Sequence, residues 1–218
     1  MHRFASGGRG ADYNWGMKRR RIVVVALVAL AVLVLPAYLR AYTLSGASDA
    51  PTLLYGDTAI VNQAAYWVKL PYSPVKLVHI SHPKRWDLVQ VMRPDRPGLV
   101  FKRVIGLPSE TVEIRSNQVI IDDRPVEQKQ LRSADFAWVS ERHRMGSAVY
   151  NEAGHWAAFT PGGGLWPNMA SVRLKSDEYF LIGDNRDVSL DCRVWGPLKE
   201  GSIYGKVVMT LATGPRKK

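Results

Sequence analysis

Two stretches of this 218-residue sequence combine residue types that could catalyse acyl transfer. The first, LVFKRVIGLPSE at residues 99–110, is apolar enough to form a buried strand, yet Lys102 and Arg103 interrupt it. Neighbouring side chains in a strand face opposite sides, so one cation is expected to reach solvent and the other to point inward. The pKa of a lysine in water is ~10.4, but apolar surroundings penalise the charged form and can lower it to about 7–8, which suits a general base.

The second stretch, LSGASDAPTLLYGD at residues 44–57, begins with small residues that allow a tight turn and the close approach of another chain. A serine hydroxyl in it becomes a nucleophile only where a base removes its proton. Conventional triads use a histidine, but no histidine here stands in a motif-like setting beside an aspartate. Lys102 is therefore the candidate base. The five histidines are His2, His79, His82, His143 and His155.

The sequence predicts no metal site and no cofactor. It contains no His-x-x-x-His motif and no paired histidine and carboxylate spacing of the kind that holds zinc. The single cysteine, Cys192, excludes an internal disulfide and a cysteine-rich zinc site.

An apolar run before the serine stretch predicts a membrane anchor. Residues 22–39 contain no charge and are about long enough to cross a bilayer. Basic residues 18–21 precede the run, and Arg40 alone follows it, so the positive-inside rule keeps the N-terminus in the cytoplasm. A cleaved signal peptide is the alternative, although the run is long for one and AYTLSGAS is an imperfect cleavage site. We therefore expect a cytoplasmic segment 1–21, one transmembrane helix 22–39 and an exported domain 41–218.

The net charge of +11 is concentrated near the chain ends. Six cations and one aspartate lie within residues 1–21, and three more cations occupy residues 216–218. The rest of the chain is nearly neutral, which disfavours a nucleic-acid groove and favours the surface of a lipid bilayer as the partner.

The exported part is predicted to be mainly β, with a barrel-like or sandwich-like arrangement of short strands. Residues 111–126 have a strand–turn–strand pattern around Ser116-Asn117, whereas residues 127–177 are predicted to form an irregular insertion. AAYWVKLPY at residues 64–72 has the composition of a membrane-interface segment, and core packing is the equal alternative. The predicted strands are 57–62, 87–93, 98–106, 178–185 and 202–212.

Three blocks of this sequence resemble the type I signal peptidases, which are membrane-anchored proteases with a serine and lysine dyad. The serine box of that family is approximated by SDAPTL at residues 48–53, the lysine box by KRVIGLPSE at 102–110, and the late box by GDNRDVSLDCR at 183–193. The order of the blocks and the anchor before them also fit. The resemblance implies a signal-peptidase-like β catalytic domain on one N-terminal transmembrane helix.

The resemblance implies roles for individual residues. Ser48 corresponds to the nucleophile, Lys102 to the general base, and Ser189 to a hydroxyl that orients the lysine. Asp191 and Arg193 correspond to a supporting ion pair. The loop is further braced by Asp184 and Arg186.

Two positions depart from the family pattern. Asp49 replaces a methionine that follows the nucleophile, and its carboxylate would favour the charged form of the lysine. Gly46 stands where some members have a serine that completes the oxyanion hole with the N–H of the nucleophile. Ser45, one residue earlier, is the tentative substitute, and loss of one such donor can cost about 10²–10³ in rate.

The resemblance implies an endopeptidase that removes signal peptides from exported precursor proteins with Ala-x-Ala cleavage sites. Its expected location is the inner (plasma) membrane, with the catalytic domain in the periplasm. One alternative is a catalytically impaired relative with a binding or assembly role, indicated by Asp49. A self-cleaving repressor of the SOS type is the other, but a transmembrane run occupies the place of its helix-turn-helix.

Overall fold

Most of the predicted strands are present in the structure, a computed structural model that describes residues 9–73, 75–136, 139 and 145–213. Predictions for residues 1–8 and 214–218, and for His2 and His143, lie outside the described residues. The described part is mainly β, as the sequence predicted.

Within the described residues the α-helices are α1 (Arg9–Tyr38) and α2 (Cys192–Trp195), and short 3-10 turns lie at Ser133–Phe136 and Glu200–Ser202. The strands are β1 (Leu39–Thr43), β2 (Thr58–Asn62), β3 (Trp67–Lys69), β4 (Lys76–His79), β5 (Leu88–Met92), β6 (Leu99–Gly106), β7 (Thr111–Arg115), β8 (Gln118–Ile121), β9 (Arg124–Pro125), β10 (Gln128–Gln130), β11 (Ala148–Glu152), β12 (His155–Phe159), β13 (Met169–Arg173), β14 (Glu178–Ile182), β15 (Leu198–Lys199) and β16 (Ile203–Leu211).

Helix α1 contains the apolar run that the sequence predicts as an anchor. The segment Met17–Tyr38 has the length and composition of a membrane span, and most of its apolar side chains are exposed rather than packed against protein. At 1.5 Å per residue its 22 residues extend about 33 Å, close to the thickness of a hydrocarbon core. The helix ends at Tyr38, and Leu39 already begins β1.

The largest sheet has seven antiparallel strands in the order β1-β2-β16-β5-β6-β14-β15. Strands β1 and β6 are four positions apart, which would separate them by about 19 Å in a flat sheet. Yet the rings of Tyr42 on β1 and Phe101 on β6 lie 6.2 Å apart between centroids. The sheet is therefore strongly curled, in the manner of a partly closed barrel.

Two of the three apolar clusters among the described residues pack against the large sheet. The larger lies beneath β5, β6 and β14 and includes the fully buried Val89, Val104 and Leu181. The smaller cluster contains Leu53 from the serine stretch and Phe101 from β6. Packing of both stretches into the interior of one sheet is what brings their reactive side chains together.

The predicted hairpin around Ser116-Asn117 is confirmed. Strands β7 and β8 pair in antiparallel register, and the two turn residues have φ values of 49° and 66°. Positive φ at both central residues matches the turn type that the right-handed twist of a two-residue hairpin favours. These strands belong to a four-stranded sheet in the order β13-β7-β8-β9.

The prediction of an irregular insertion over residues 127–177 is wrong for the described part of that segment. It contains β10, β11 and β12, which form a three-stranded sheet, and β13, which joins β7. Three core positions of β11 and β12 are alanines, Ala148, Ala157 and Ala158. Alanine is depleted in strands, so a strand built on it gives a weak sequence signal.

The segment Ala64–Tyr72 is partly buried and partly exposed. Tyr66 is buried in the main core, whereas Leu70 and Tyr72 are exposed on the hairpin formed by β3 and β4. The Tyr72 hydroxyl donates a hydrogen bond to the Leu33 carbonyl of α1 at 2.5 Å. The tip of the hairpin therefore lies beside the apolar helix.

Candidate active site

Strand β6 places both of its cations inside the protein. The side chains of Lys102 and Arg103 are only 1% and 8% exposed. The expectation that one of them reaches solvent is wrong, because Arg103 has a buried partner on the opposite face of the strand. Its guanidinium meets the fully buried Asp184 through two hydrogen bonds, Nε–Oδ1 at 2.7 Å and Nη2–Oδ2 at 2.6 Å.

Asp184 joins three separate parts of the chain. It holds Arg103 of β6, and it also accepts a 2.5 Å hydrogen bond from the Thr52 hydroxyl in the serine stretch. Burial works against the charge of Arg103, but attraction to Asp184 outweighs it and raises the pKa of the guanidinium. The buried ion pair of Arg103 and Asp184 therefore fixes the loop after β14 against β6.

The loop after β14 also holds the backbone of the serine stretch. The Asn185 N–H donates to the Ser48 carbonyl at 3.0 Å, and the Asn185 Nδ2 donates to the Ala47 carbonyl at 3.0 Å. The stretch is closed at its ends by a hydrogen bond from the Leu44 N–H to the Asp57 carbonyl at 2.8 Å. Asn185 therefore fixes the carbonyl groups on both sides of the Ser48 Cα atom.

The side chains of Ser48 and Lys102 are in hydrogen-bond contact. Lys102 Nζ lies 2.9 Å from Ser48 Oγ and 2.7 Å from the carbonyl oxygen of Phe101. A hydroxyl and a buried amine at this separation have the geometry of a nucleophile and its base.

Asp49 is the third member of this group. The Ser48 hydroxyl donates to Asp49 Oδ2 at 2.6 Å, and that oxygen lies 3.8 Å from Lys102 Nζ. Burial raises the pKa of Asp49 to about 6, against the opposing attraction of Lys102. The carboxylate therefore competes with the amine for the proton of Ser48.

Asp191 and Arg193 form a buried ion pair at the start of α2. Both guanidinium nitrogens Nε and Nη2 donate to the carboxylate at 2.9 Å, and the Gly183 N–H donates to its Oδ2 at 3.0 Å. Burial opposes the charge of Asp191, but Arg193 outweighs it and lowers the pKa of the carboxyl. The pair therefore holds the loop between β14 and α2, residues 183–191 (the late loop), at its Gly183 end.

Ser189 is buried and Ser45 is exposed. Ser189 is fully buried beside Gly183, and no hydrogen bond joins its hydroxyl to Lys102 Nζ in the described structure. Ser45 is exposed and lines the same cleft as Ser48. Their predicted roles, in orienting the lysine and in the oxyanion hole, stay predictions.

A cleft of about 510 Å³ opens onto the Ser48 and Lys102 side chains. The end of β1, the serine stretch and the start of β6 form its walls, together with Val188 and Leu190 of the late loop. Its mixture of apolar and polar walls suits a peptide.

The family comparison agrees with these features. Residues 17–212 match the sequence model of the family described as signal peptidase, peptidase S26. The chain belongs to this family. Its catalytic class is therefore that of a peptidase, and the resemblance deduced from the three sequence blocks is confirmed.

Individual members of the signal peptidase family are similar over most of this chain. Signal peptidase I of Aquifex aeolicus is 31% identical, with 90% of this chain and 85% of that protein covered. Signal peptidase I of Pseudomonas aeruginosa is 30% identical, covering 88% and 71%, and signal peptidase I V of Bacillus subtilis is 29% identical, covering 84% and 92%. A crystal structure of a signal peptidase I from Enterococcus faecalis V583 is 29% identical, covers 59% of this chain and 99% of that chain, and gives a TM-score of 0.38.

In this signal peptidase family member, one supporting group escaped prediction from the sequence. Glu152, at the end of β11, is fully buried and forms an ion pair with Arg186 of the late loop. His155 Nε2 lies 3.2 Å from the same carboxylate. Burial alone would raise the pKa of Glu152, but Arg186 and His155 outweigh it and lower the pKa to about 2. No motif marks Glu152, because its partner lies 34 residues away in the chain.

Gly183 should not tolerate a side chain. A Cβ atom there would stand 2.2 Å from Ser189 Oγ and 2.4 Å from the Ser48 carbonyl oxygen. We expect Gly183→Ala to lower the free energy of unfolding by about 1–3 kcal/mol, as overpacking does. We also expect about 10²-fold slower peptide cleavage, because Ser48 must shift. Urea unfolding and a cleavage assay measure the two effects.

The matched control is Gly201→Ala. A Cβ atom at Gly201 would meet only Lys76 Nζ at 3.9 Å, so neither property should change. Equal behaviour of the two variants would contradict the close packing of Ser48 against Gly183.

Proposed function

We propose that this protein is a membrane-anchored serine endopeptidase that removes signal peptides from exported precursors, with Ser48 as nucleophile and Lys102 as general base. The observation that carries the proposal is the 2.9 Å contact between Lys102 Nζ and Ser48 Oγ on a buried strand. The family membership supports the reaction class. No metal or organic cofactor takes part in this chemistry.

The reaction is acyl transfer in two halves. Lys102, in its neutral form, takes the proton of Ser48 as Oγ attacks the scissile carbonyl, and the resulting ammonium passes that proton to the leaving amine. Water then attacks the acyl-enzyme with the same lysine as base, releasing the carboxylate product and restoring Ser48. The Ser48 N–H, assisted by Ser45, stabilises the oxyanion in both halves.

The supporting residues act by position. The Asp184 pair with Arg103 holds the late loop on β6, and the Asp191 pair with Arg193 holds Gly183. Arg186, fixed by Glu152, donates to the Gly183 carbonyl at 3.1 Å. The family resemblance assigns Ser189 the role of orienting the lysine.

The substrate class follows from the family resemblance. An exported precursor binds as an extended strand in the cleft, where main-chain hydrogen bonds supply affinity and side-chain pockets supply specificity. Small residues are required at the first and third positions before the scissile bond, which is the Ala-x-Ala pattern.

The anchor sets the location of the reaction. The basic residues before the span keep the N-terminal segment 1–21 in the cytoplasm, so residues 41–218 lie outside the inner (plasma) membrane, in the periplasm. Ser48 follows Leu39, the first residue after the helix, by only nine residues. The nucleophile therefore lies at the membrane surface. Signal peptides of precursors are cut where they leave the bilayer.

The test is cleavage of a precursor with an Ala-x-Ala site by the full-length protein in detergent with lipid. We expect cleavage after the second alanine by the native protein and none above background by Ser48→Ala. Ser73→Ala, in the β3–β4 hairpin, is the matched control and should cleave normally. Undiminished cleavage by Ser48→Ala would overturn the assignment of the nucleophile.

A second candidate function is a catalytically impaired family member with a binding or assembly role. The 2.6 Å hydrogen bond from Ser48 to Asp49 favours it, because it directs the hydroxyl proton away from Lys102. Absence of cleavage by the native protein, with tight binding of the same precursor, would support this alternative.

A further inference from the structure

Two histidines and one glutamate meet on the side of the domain that carries the β3–β4 hairpin. His79 is the last residue of β4, His82 follows it by three residues, and Glu200 begins the 3-10 turn between β15 and β16. His79 Nε2 lies 3.0 Å from Glu200 Oε1, and His82 Nδ1 lies 2.9 Å from Glu200 Oε2. The three side chains therefore converge from two parts of the chain that are far apart in sequence.

The spacing of these donor atoms is close to that of a zinc site. One ligand atom from each side chain lies within 4.8 Å of the others. In a tetrahedral Zn²⁺ site the ligand atoms are about 3.3 Å apart, because each is about 2.0–2.1 Å from the metal. The three donor atoms therefore lie near enough to one another to share one ion.

The chemistry of the donors suits a divalent transition metal. Neutral imidazole nitrogen and carboxylate oxygen are common ligands of Zn²⁺, and two histidines with one glutamate leave a fourth position for water. The His82 side chain is 70% exposed, so an ion has an open path to the group. His79 is already held in place, since its ring packs edge-on against Trp67 at 4.5 Å between centroids.

A metal ion bound by these side chains would stabilise the β3–β4 hairpin. Among the described strands, β3 and β4 pair only with each other, and a two-stranded sheet is at most marginally stable alone. The hairpin is fastened to β16 and its preceding turn by polar contacts such as Lys69 Nζ to the Tyr204 carbonyl at 3.1 Å. Its tip contacts α1 through Tyr72.

We propose that His79, His82 and Glu200 form a binding site for Zn²⁺ or a similar divalent transition metal that fastens the β3–β4 hairpin to the turn before β16. The site is separate from the Ser48 and Lys102 dyad and takes no part in peptide cleavage. Sequence spacing does not reveal it, because the carboxylate comes from a different part of the chain.

The test uses the full-length protein in detergent, purified without a polyhistidine tag. We expect saturable binding of one Zn²⁺ per chain in calorimetry, and visible absorption of tetrahedral Co²⁺ when cobalt replaces zinc. Zn²⁺ should also slow proteolysis within the hairpin. His82→Gln and Glu200→Gln should each weaken Zn²⁺ binding by at least about tenfold, since even loss of an outer-shell partner costs 10–100-fold.

The matched control is His155→Gln, a histidine that faces another carboxylate, Glu152. It should retain the full affinity for Zn²⁺ and the Co²⁺ spectrum. Binding that is absent in the native protein, or that persists unchanged in both His82→Gln and Glu200→Gln, would overturn the proposed site.

Discussion

Replacement of Lys102 by methionine is expected to reduce precursor cleavage by about 10²–10⁴-fold, the usual contribution of a general base. The same change should alter the free energy of unfolding by less than about 1.5 kcal/mol, because methionine nearly conserves the volume of the buried side chain. The carboxyl of Asp49, which already has a raised pKa of about 6, can take up a proton when its cationic neighbour is lost. Activity and stability should therefore separate at this position.

The two quantities are measured by the cleavage rate of an Ala-x-Ala precursor and by urea unfolding of the same preparations. Lys175→Met is the matched control, because that lysine side chain is 78% exposed and far in sequence from the dyad. It should change neither quantity. A Lys102→Met protein that folds normally and cleaves at more than a tenth of the native rate would rule out Lys102 as the base.

Much of the fold was predictable from local patterns. Strands β2, β5, β6, β14 and β16 are apolar or alternating runs bounded by turn residues, and the β7–β8 hairpin has a two-residue turn that suits it. Strands β11 and β12 in the 127–177 segment gave a weak sequence signal because three of their buried positions are alanines. The curl of the large sheet depends on contacts between distant strands, such as Tyr42 with Phe101.

The candidate site was predictable only in part. The buried lysine is visible as an anomaly in its strand, but the choice of Ser48 among neighbouring serines depended on the family resemblance. The burial of both cations was not predicted, because the partner of Arg103, Asp184, is 81 residues away. Glu152 gave no signal at all, since a lone glutamate at a strand end usually faces water. Long-range ion pairs of this kind are decided by topology, which local sequence does not encode.

Asp49 affects both folding and catalysis, and the two effects can be measured separately. Burial raises its pKa from 3.8 to about 6, so its ionisation is less favourable in the folded protein than in the unfolded chain. A raised pKa contributes stability that is fully present below pH 3.8 and is lost as the pH rises through 6. Above that window the ionised carboxylate lowers the free energy of unfolding by up to about 3 kcal/mol, at about 1.36 kcal/mol per pKa unit.

We therefore expect Asp49→Asn to raise the free energy of unfolding above pH 6 and to leave it nearly unchanged below pH 3.8. Its effect on cleavage has a separate cause. Without the carboxylate, the Ser48 hydroxyl loses its hydrogen bond to Asp49, and its proton is free to move to Lys102. We expect at least a roughly tenfold faster cleavage at neutral pH, since about 1.4 kcal/mol in the barrier gives that factor.

The opposite result would be equally informative about the proton. If Asp49→Asn folds with the expected gain in stability but loses cleavage, then the carboxylate removes the Ser48 proton itself, and the acidic limb of the native pH–rate profile should fall near pH 6, the pKa of Asp49. Asp187→Asn is the matched control, because that carboxylate lies in the late loop but accepts its hydrogen bonds from Thr160 rather than from the serine stretch. A faster Asp49→Asn enzyme means that Asp49 is not the base and that its carboxylate restrains the reaction, as expected for a competitor for the Ser48 proton.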